Sequence, residues 1–294
     1  MWQREWLQGE VLEEQVSYWK EQLGGAAGVL ELPTDRPRPA VQSYRGGQHR
    51  FEVSEEVSGK LKELSRREGV TLFMTLLAAF QVQLHYYSQQ DEIVIGTNVA
   101  NRNRAETEEL IGFFVNTLVL RTDLSGDPTF SEVLRRVREV CLGAYGHQDV
   151  PFEKLVEVLQ PERDVSRSPL FQVKIEFGYP LLRELELPGL SLSPLRIDNE
   201  VVKYDLHLFL TEIERHIVGN IVYAKGLFDA ATVMSMRQQL EAVLRKVVMQ
   251  AEVKLSALTE MLAEADSQHQ VMKKADYEES IHQRLRHIRP RVIG

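Results

Sequence analysis

The sequence has very little cysteine and no long hydrophobic run. Its single cysteine, Cys141, has no second thiol for an internal disulfide, which fits the reducing environment of the cytoplasm. No stretch of 18 apolar residues occurs, and residues 1–5 lack the basic start and apolar run of a signal peptide. We therefore expect a soluble cytoplasmic protein with no membrane partner.

Positive charge is also scarce. The chain has 35 lysines and arginines against 43 aspartates and glutamates, which gives a net charge of −8. Proteins that follow the phosphates of nucleic acids generally carry a basic surface. We therefore predict no nucleic-acid partner.

Familiar catalytic and metal-binding motifs are missing as well. The eight histidines are never adjacent, and the one cysteine has no partner at a metal-ligand spacing, so we predict no metal site. The chain has no G-x-S-x-G, no G-x-x-x-x-G-K and no dinucleotide-type glycine motif. These absences argue against a self-sufficient enzyme.

The hydrophobic pattern predicts alternating helices and strands, followed by a strand-rich block and a closing helix, which is typical of an α/β sheet layered with helices. With 43% hydrophobic residues, the 294-residue chain can bury a large core. The pattern predicts helices over residues 2–19, 54–67, 71–88, 129–146, 152–160 and 228–248. It predicts strands over residues 48–53, 92–99, 113–124, 170–177, 190–197, 204–213 and 216–224, the second of which runs into a polar turn.

Three regions follow from these patterns. Residues 1–47 contain a helix and a proline- and glycine-rich extended segment. Residues 48–255 contain the regular elements of the folded body. Residues 256–294 are highly charged and end in a basic run, so we expect a helical tail or linker that leads toward another module or docks a partner.

The stretch "GHQDVPFEKL" places His147 two residues before Asp149, as a base and its carboxylate could be. Residues i and i+2 do not face each other on a helix, and Pro151 favours extended backbone before it. We therefore favour a structural role, in which Asp149 caps the helix that begins at Pro151. An acyltransferase that uses His147 remains the weaker alternative.

Four residues of the next polar link could bind an acidic or phosphorylated partner through two guanidinium groups. They are Arg163, Asp164, Ser166 and Arg167. An arginine–aspartate pair and a serine turn that hold the link are an equally good interpretation.

Asn116 is the one amide in the apolar run "FFVNTLVL". A buried amide needs hydrogen-bond partners, so it either holds neighbouring backbone, which we favour, or presents donors to a cavity. Asn98, Asn101, Arg102 and Arg104 form a polar loop that could contact a ligand, although a surface turn is the commoner outcome.

Several longer segments resemble the C-terminal half of the condensation domain of nonribosomal peptide synthetases, over about residues 1–255. The matching stretches are "WLQGEVLEEQVSYWKEQL" (6–23), "LPTDRPRP" (32–39), "IGTNVANRNRAETEELIGFFVNTLVLR" (95–121), "HQDVPFEKLVEVLQPERDVSRSPLFQV" (147–173) and "LFDAATV" (227–233).

The resemblance implies a chloramphenicol-acetyltransferase-like fold of two lobes, of which this chain is expected to supply the C-terminal one as residues 48–255. It implies a tunnel that receives the phosphopantetheine arms of donor and acceptor carrier proteins, with no cofactor bound directly. On this resemblance Phe113, Phe114, Asn116 and Thr117 line the tunnel, and His147, Asp149 and residues 163–168 are architectural. Ser168 replaces an asparagine that is often seen before the proline there.

The family's active-site motif, H-H-x-x-x-D-G, belongs to the N-terminal lobe and does not occur in this sequence. We therefore expect amide-bond formation only together with an N-terminal lobe, and no catalytic residue in this chain. The alternative is a non-catalytic interaction module that recruits a carrier protein or a tailoring enzyme, in which residues 256–294 take part.

Overall fold

The computed structural model describes residues 6–26, 28–102, 105–178, 186–187, 190–191 and 201–267, and the statements below concern these residues. The helices are α1 (Gly9–Leu23), α2 (Glu55–Arg67), α3 (Leu72–Ser88), α4 (Ala105–Glu108), α5 (Phe130–Gly146), α6 (Phe152–Leu159), α7 (Ala230–Met249) and α8 (255–267). The strands are β1 (Gly46–Val53), β2 (Glu92–Val99), β3 (Asn116–Asp123), β4 (Val173–Gly178), β5 (Glu186–Leu187), β6 (Leu190–Ser191), β7 (Leu206–Ile213) and β8 (His216–Ala224).

Three helices begin where the sequence predicts, because a hydroxyl side chain caps each one. The hydroxyls of Ser54, Thr71 and Thr129 accept hydrogen bonds from the backbone N–H groups three residues later, at 3.4, 3.2 and 3.3 Å. Each bond satisfies a donor that the first turn of a helix leaves without an intrahelical partner.

The large sheet contains six strands in the order β1-β8-β7-β4-β2-β3. β4 runs parallel to both β2 and β7, and the other pairs are antiparallel. The mixed sheet and its helical layer confirm the predicted α/β class. Because β4 pairs in parallel with β2 and β7, the carboxyl ends of these three strands lie at the same end of the sheet. The loop that enters β3 lies at this end as well.

Helices α2, α3, α5 and α7 cover one face of this sheet and enclose the core. α3 is buried almost all round, as its apolar composition predicts. α8 adds Leu258 and Leu262, both fully buried, and the Tyr86 hydroxyl donates a 2.7 Å hydrogen bond to Asp266 Oδ2 at its end. The first part of the region assigned to a tail therefore packs into the core; the boundary at residue 256 itself stays a prediction.

The opposite face of the sheet is only partly covered. Arg121 of β3 donates to the carbonyl oxygens of Gln22 and Gly24, which ties the end of α1 to the sheet. The Phe171 ring lies directly over Gly96, at a position where a side chain on residue 96 would collide with it. At the central strands β4 and β7 this face stays half-exposed, and the candidate site lies there.

Some predicted boundaries are wrong. The predicted helix over residues 2–19 is interrupted before Gly9, where α1 begins, because Gln8 has extended backbone (φ −143°, ψ 165°). Residues 2–5 of that predicted helix lie outside the described part of the chain. β3 begins at Asn116 and not at residue 113, since the residues before it form an exposed loop. Residues 192–197 of a predicted strand, Arg104 and residues 268–294 lie outside the described part of the chain.

Candidate functional site

Asn116 opens β3 and is nearly buried. Its Nδ2 donates to the carbonyl oxygens of Gln148 and Val150, at 2.7 and 2.8 Å, and its Oδ1 accepts from the N–H of Thr117 and Phe152, at 2.9 and 3.2 Å. The amide thus holds the segment before α6, as the structural interpretation predicts. Its place in a substrate tunnel stays a prediction.

The capping role predicted for Asp149 stays a prediction. α6 begins at Phe152, with Pro151 at the N-cap position, so Asp149 lies two residues before the cap. Proline has no side chain that could accept the free N–H groups of the first turn. The N–H of Phe152 instead reaches Asn116 Oδ1, a partner 36 residues away in sequence.

His147 has a structural environment. Its ring stacks on Tyr18 with centroids 3.9 Å apart, and its Nδ1 lies 2.8 Å from the carbonyl oxygen of Gly143. Its own carbonyl accepts a 2.8 Å hydrogen bond from Trp19 Nε1. These contacts join α1 to the end of α5, and they match the helix-end role that we favour.

Three of the four residues in the polar link pack against the protein. Asp164 Oδ1 accepts from the N–H of Ser166 at 2.8 Å, and its Oδ2 lies 2.7 Å from Arg167 Nε. Arg38 donates to the Ser166 carbonyl at 3.2 Å and pairs with Asp205 through both of its terminal nitrogens. The hydrogen bonds from Ser166, together with Arg167, hold the pKa of Asp164 below its ordinary value. This geometry matches the arginine–aspartate pair and serine turn.

Arg163 differs from its neighbours because it is exposed. It lines a groove of about 1360 Å³ between α6 and residues 161–170, together with Arg167 and Glu157. The groove carries side chains of both charges, and binding of an acidic or phosphorylated partner by Arg163 stays a prediction.

The loop before Asn116 exposes large apolar side chains. Phe113 is 93% exposed, and Leu110, Ile111 and Val115 are exposed as well. Phe114 is half-buried beneath the Arg102 guanidinium, which lies 4.2 Å from the ring centroid. Contiguous exposed apolar side chains are typical of a contact surface.

A charged network on the half-exposed face was not predicted. Lys174 and Glu176 project from the same face of β4, and Lys174 Nζ lies 2.6 Å from Glu176 Oε1. Asn98 Nδ2 donates to the same oxygen at 2.7 Å, and His207 Nε2 of β7 lies 3.6 Å from Glu176 Oε2. Thr117 donates to Asn98 Oδ1 at 3.1 Å, which joins the network to the predicted tunnel residue.

The network keeps Glu176 ionised. Burial acts to raise the pKa of Glu176, but the nearby His207 and Lys174 side chains outweigh it and hold the pKa at about 2. The sequence carries a signal for this site, because Lys174 and Glu176 alternate with apolar residues in "LFQVKIEF". The pairing of β4 with β2 and β7 supplies the rest and cannot be found from the local pattern.

Among the described residues, no three histidine, cysteine or acidic side chains gather as metal ligands. Within the same ranges no helix is long and apolar enough to cross a membrane. The arrangement offers hydrogen-bond donors and acceptors and one half-buried carboxylate, that of Glu176, which can bind and orient a polar group.

Comparisons with known proteins agree with this fold and these motifs. The family model for the condensation domain matches residues 1–271. A subunit of linear gramicidin synthase from Brevibacillus parabrevis is 52% identical over 250 residues, which cover 84% of this chain and 5% of that protein. Malpinin synthetase of Mortierella alpina is 49% identical over 232 residues, covering 79% of this chain and 3% of that protein. The chain thus spans about one twentieth or less of these relatives.

Solved structures give the same result. A four-domain nonribosomal peptide synthetase bound to AMP and glycine superposes with a TM-score of 0.78 at 32% identity, over 83% of this chain and 20% of that one. The X-domain from teicoplanin biosynthesis superposes with a TM-score of 0.80 at 32% identity, over 87% of this chain and 60% of that one.

The family match and the similar solved structures confirm the predicted chloramphenicol-acetyltransferase-like fold of the sheet and its helices. Since the family model covers almost the whole chain and the sheet superposes on that of solved synthetase domains, this chain belongs to the condensation domain family of nonribosomal peptide synthetases.

Proposed function

We propose that this chain is the C-terminal lobe of a condensation domain, and that it forms amide bonds only together with an N-terminal lobe. The observation that carries the proposal is the absence of H-H-x-x-x-D-G from a sequence that otherwise follows the family. The exposed apolar side chains of residues 110–115 provide a surface for that lobe.

The substrates in this proposal are aminoacyl or peptidyl thioesters on the phosphopantetheine arms of donor and acceptor carrier proteins. The acceptor amine attacks the donor thioester carbonyl, the carbon–sulfur bond breaks, and the proton that the amine gives up goes to the departing thiolate, which leaves as the free thiol. This chain contributes one wall of the tunnel, formed by Phe113, Phe114, Asn116 and Thr117, and holds the acceptor in place. We place the protein in the cytoplasm, where its carrier-protein partners would be loaded.

Reconstitution tests the proposal. The chain is mixed with a separately produced N-terminal condensation lobe and with loaded donor and acceptor carrier proteins, and the amide product is measured by mass spectrometry. We expect product only with both lobes, and none when the first two histidines of the N-terminal motif are replaced by alanine. Amide formation by this chain alone would overturn the proposal.

A second candidate is a non-catalytic interaction module that recruits a tailoring enzyme. The observation in its favour is the similarity to an X-domain solved in complex with OxyB, at a TM-score of 0.80 and 33% identity. The test is capture of carrier proteins and tailoring enzymes by the full chain and by a chain that ends at residue 267, so that α8 stays in place. Recruitment that depends on residues 268–294, without amide formation in the reconstituted assembly, favours this candidate.

A further inference from the structure

The charged network on β4 is unusual for its position. Lys174 has only 8% of its side chain exposed, and Glu176 has 20%. Burying charged groups costs free energy even when they are paired, and apolar residues of similar volume often stabilise a fold equally well. Paired charges retained at such a position are therefore candidates for a recognition role.

The network is continuous with the predicted tunnel wall. Thr117 donates to Asn98, and Asn98 donates to Glu176, so two hydrogen bonds lead from β3 across β2 to β4. A substrate group that reaches Thr117 is therefore only one side chain away from the carboxylate of Glu176.

The two carboxylate oxygens of Glu176 are used unequally. Oε1 accepts from Asn98 and is paired with Lys174, at 2.7 and 2.6 Å. Oε2 faces His207 Nε2 at 3.6 Å, which is longer than a hydrogen bond. A carboxylate can accept about four hydrogen bonds, so Oε2 retains acceptor capacity.

The surroundings define which group would fit. Lys174 already balances the charge of Glu176, and a second ammonium group there would be repelled. Phe209, paired with Glu176 in the sheet and half-buried, provides an apolar neighbour. A neutral hydroxyl on a small apolar side chain matches both features.

From this geometry we infer that Glu176 is a specificity-determining residue, which accepts a hydrogen bond from a hydroxyl-bearing side chain of the carrier-bound substrate. Asn98, Lys174 and His207 are positioning residues that hold its carboxylate. The inference rests on the proposed function, because it assumes that pantetheine-linked substrates pass this wall.

The test compares isosteric probes. Threonyl and valyl pantetheine amides, which cannot be hydrolysed as thioesters, are titrated into the full chain by ligand-observed NMR. We expect the threonyl probe to bind about tenfold more tightly or more, since hydrogen bonds to charged groups are the stronger kind. In Glu176→Met, and in Lys174→Met/Glu176→Met, which keeps the charge balance if the single variant fails to fold, the ratio should fall to about one.

Glu212→Met is the matched control, because Glu212 pairs with Lys62 of α2, away from the network. It should leave the ratio unchanged. Equal binding of the two probes by the unaltered chain, or a ratio that survives in both Glu176 variants, would overturn the inference. A purely structural role would lower the binding of both probes together.

The reconstituted assembly separates the two proposals. The same threonyl and valyl pair is presented on the donor carrier and then on the acceptor carrier. Amide formation that uses both amino acids equally in both positions overturns the recognition site and leaves the proposed function standing. A threonyl preference in binding, with no amide from any substrate, overturns the proposed function and supports the site.

Discussion

Asn116 and Glu176 are both polar residues of the sheet, but their hydrogen-bond capacity is used differently. The Asn116 amide bonds to the backbone of residues 117 and 148–152, where it closes the approach to α6. Glu176 gives one oxygen to its neighbours and keeps capacity on the other. At the residue scale, Asn116 therefore holds neighbouring backbone in place, and Glu176 is the residue that we propose for substrate recognition.

The low pKa of Glu176 predicts a pH-dependent stability. Its folded-state pKa of about 2 lies below the ordinary value of 4.5, so the stabilisation is present above about pH 4.5 and is lost as the pH falls toward 2. The charged and titratable groups facing it are Lys174 and His207, with Tyr204 nearby. Urea denaturation should show the largest difference in unfolding free energy between wild type and Glu176→Gln above about pH 5, shrinking toward about pH 3. A constant difference would contradict this.

Cys141 should be chemically inert in the folded protein. It is fully buried in α5, and burial raises the pKa of its thiol to about 12. Because the thiolate is the reactive form, iodoacetamide at neutral pH should not modify the native protein within hours. In urea the same thiol should react readily, which serves as the control. Rapid native modification would show that α5 opens from the core.

At the element scale, the segment between α1 and β1 is held by side chains from distant parts of the chain. Arg38 joins this segment to β7 through Asp205 and to the polar link through the Ser166 carbonyl. Gln172 accepts from the N–H of Leu30 at 2.9 Å. These contacts hold the described part of this extended segment against the sheet.

Arg38→Ala should be strongly destabilising, by about 3 kcal/mol or more, because it leaves Asp205 buried without its charge partner. Arg36→Ala is the control on the same segment. Arg36 pairs with Asp229, but about half of each side chain is exposed, so its loss should cost about 1 kcal/mol or less. Urea denaturation measures both, and equal effects would contradict the role given to Asp205.

At the scale of the whole molecule, α8 completes the core. The described body runs to residue 267, and the matched family model runs to residue 271, so the helix after α7 belongs to the packed unit. Tyr86 and Gln239 both donate to the Asp266 carboxylate, which fixes the last described turn of α8 against α3 and α7.

Leu258→Ala and Leu262→Ala should each destabilise the protein by about 2–5 kcal/mol, because each leaves a cavity where a fully buried side chain was. Glu260→Ala, on the exposed side of the same helix, should change stability by about 0.5 kcal/mol or less. Thermal denaturation of the three variants decides this, and equal melting temperatures would indicate that α8 is not part of the core.

Local patterns predicted most of the elements well. Ser54, Thr71 and Thr129 mark helix starts, because a cap depends on residues only three positions apart. The motif segments identified the family, and the structural role favoured for His147 agrees with its contacts to Tyr18 and Gly143. The cap of α6 was missed, since its acceptor comes from the start of β3.

The sequence by itself determined the α/β class, the caps of α2, α3 and α5, and the family, because each depends on spacing along the chain. Only the tertiary structure decided that Asn116 caps α6, that α8 enters the core, and that Asn98, Lys174, Glu176 and His207 meet. The last group comes from three strands that are far apart in sequence. Parallel pairing of β4 with β2 and β7 brings them together, and that register depends on the whole sheet.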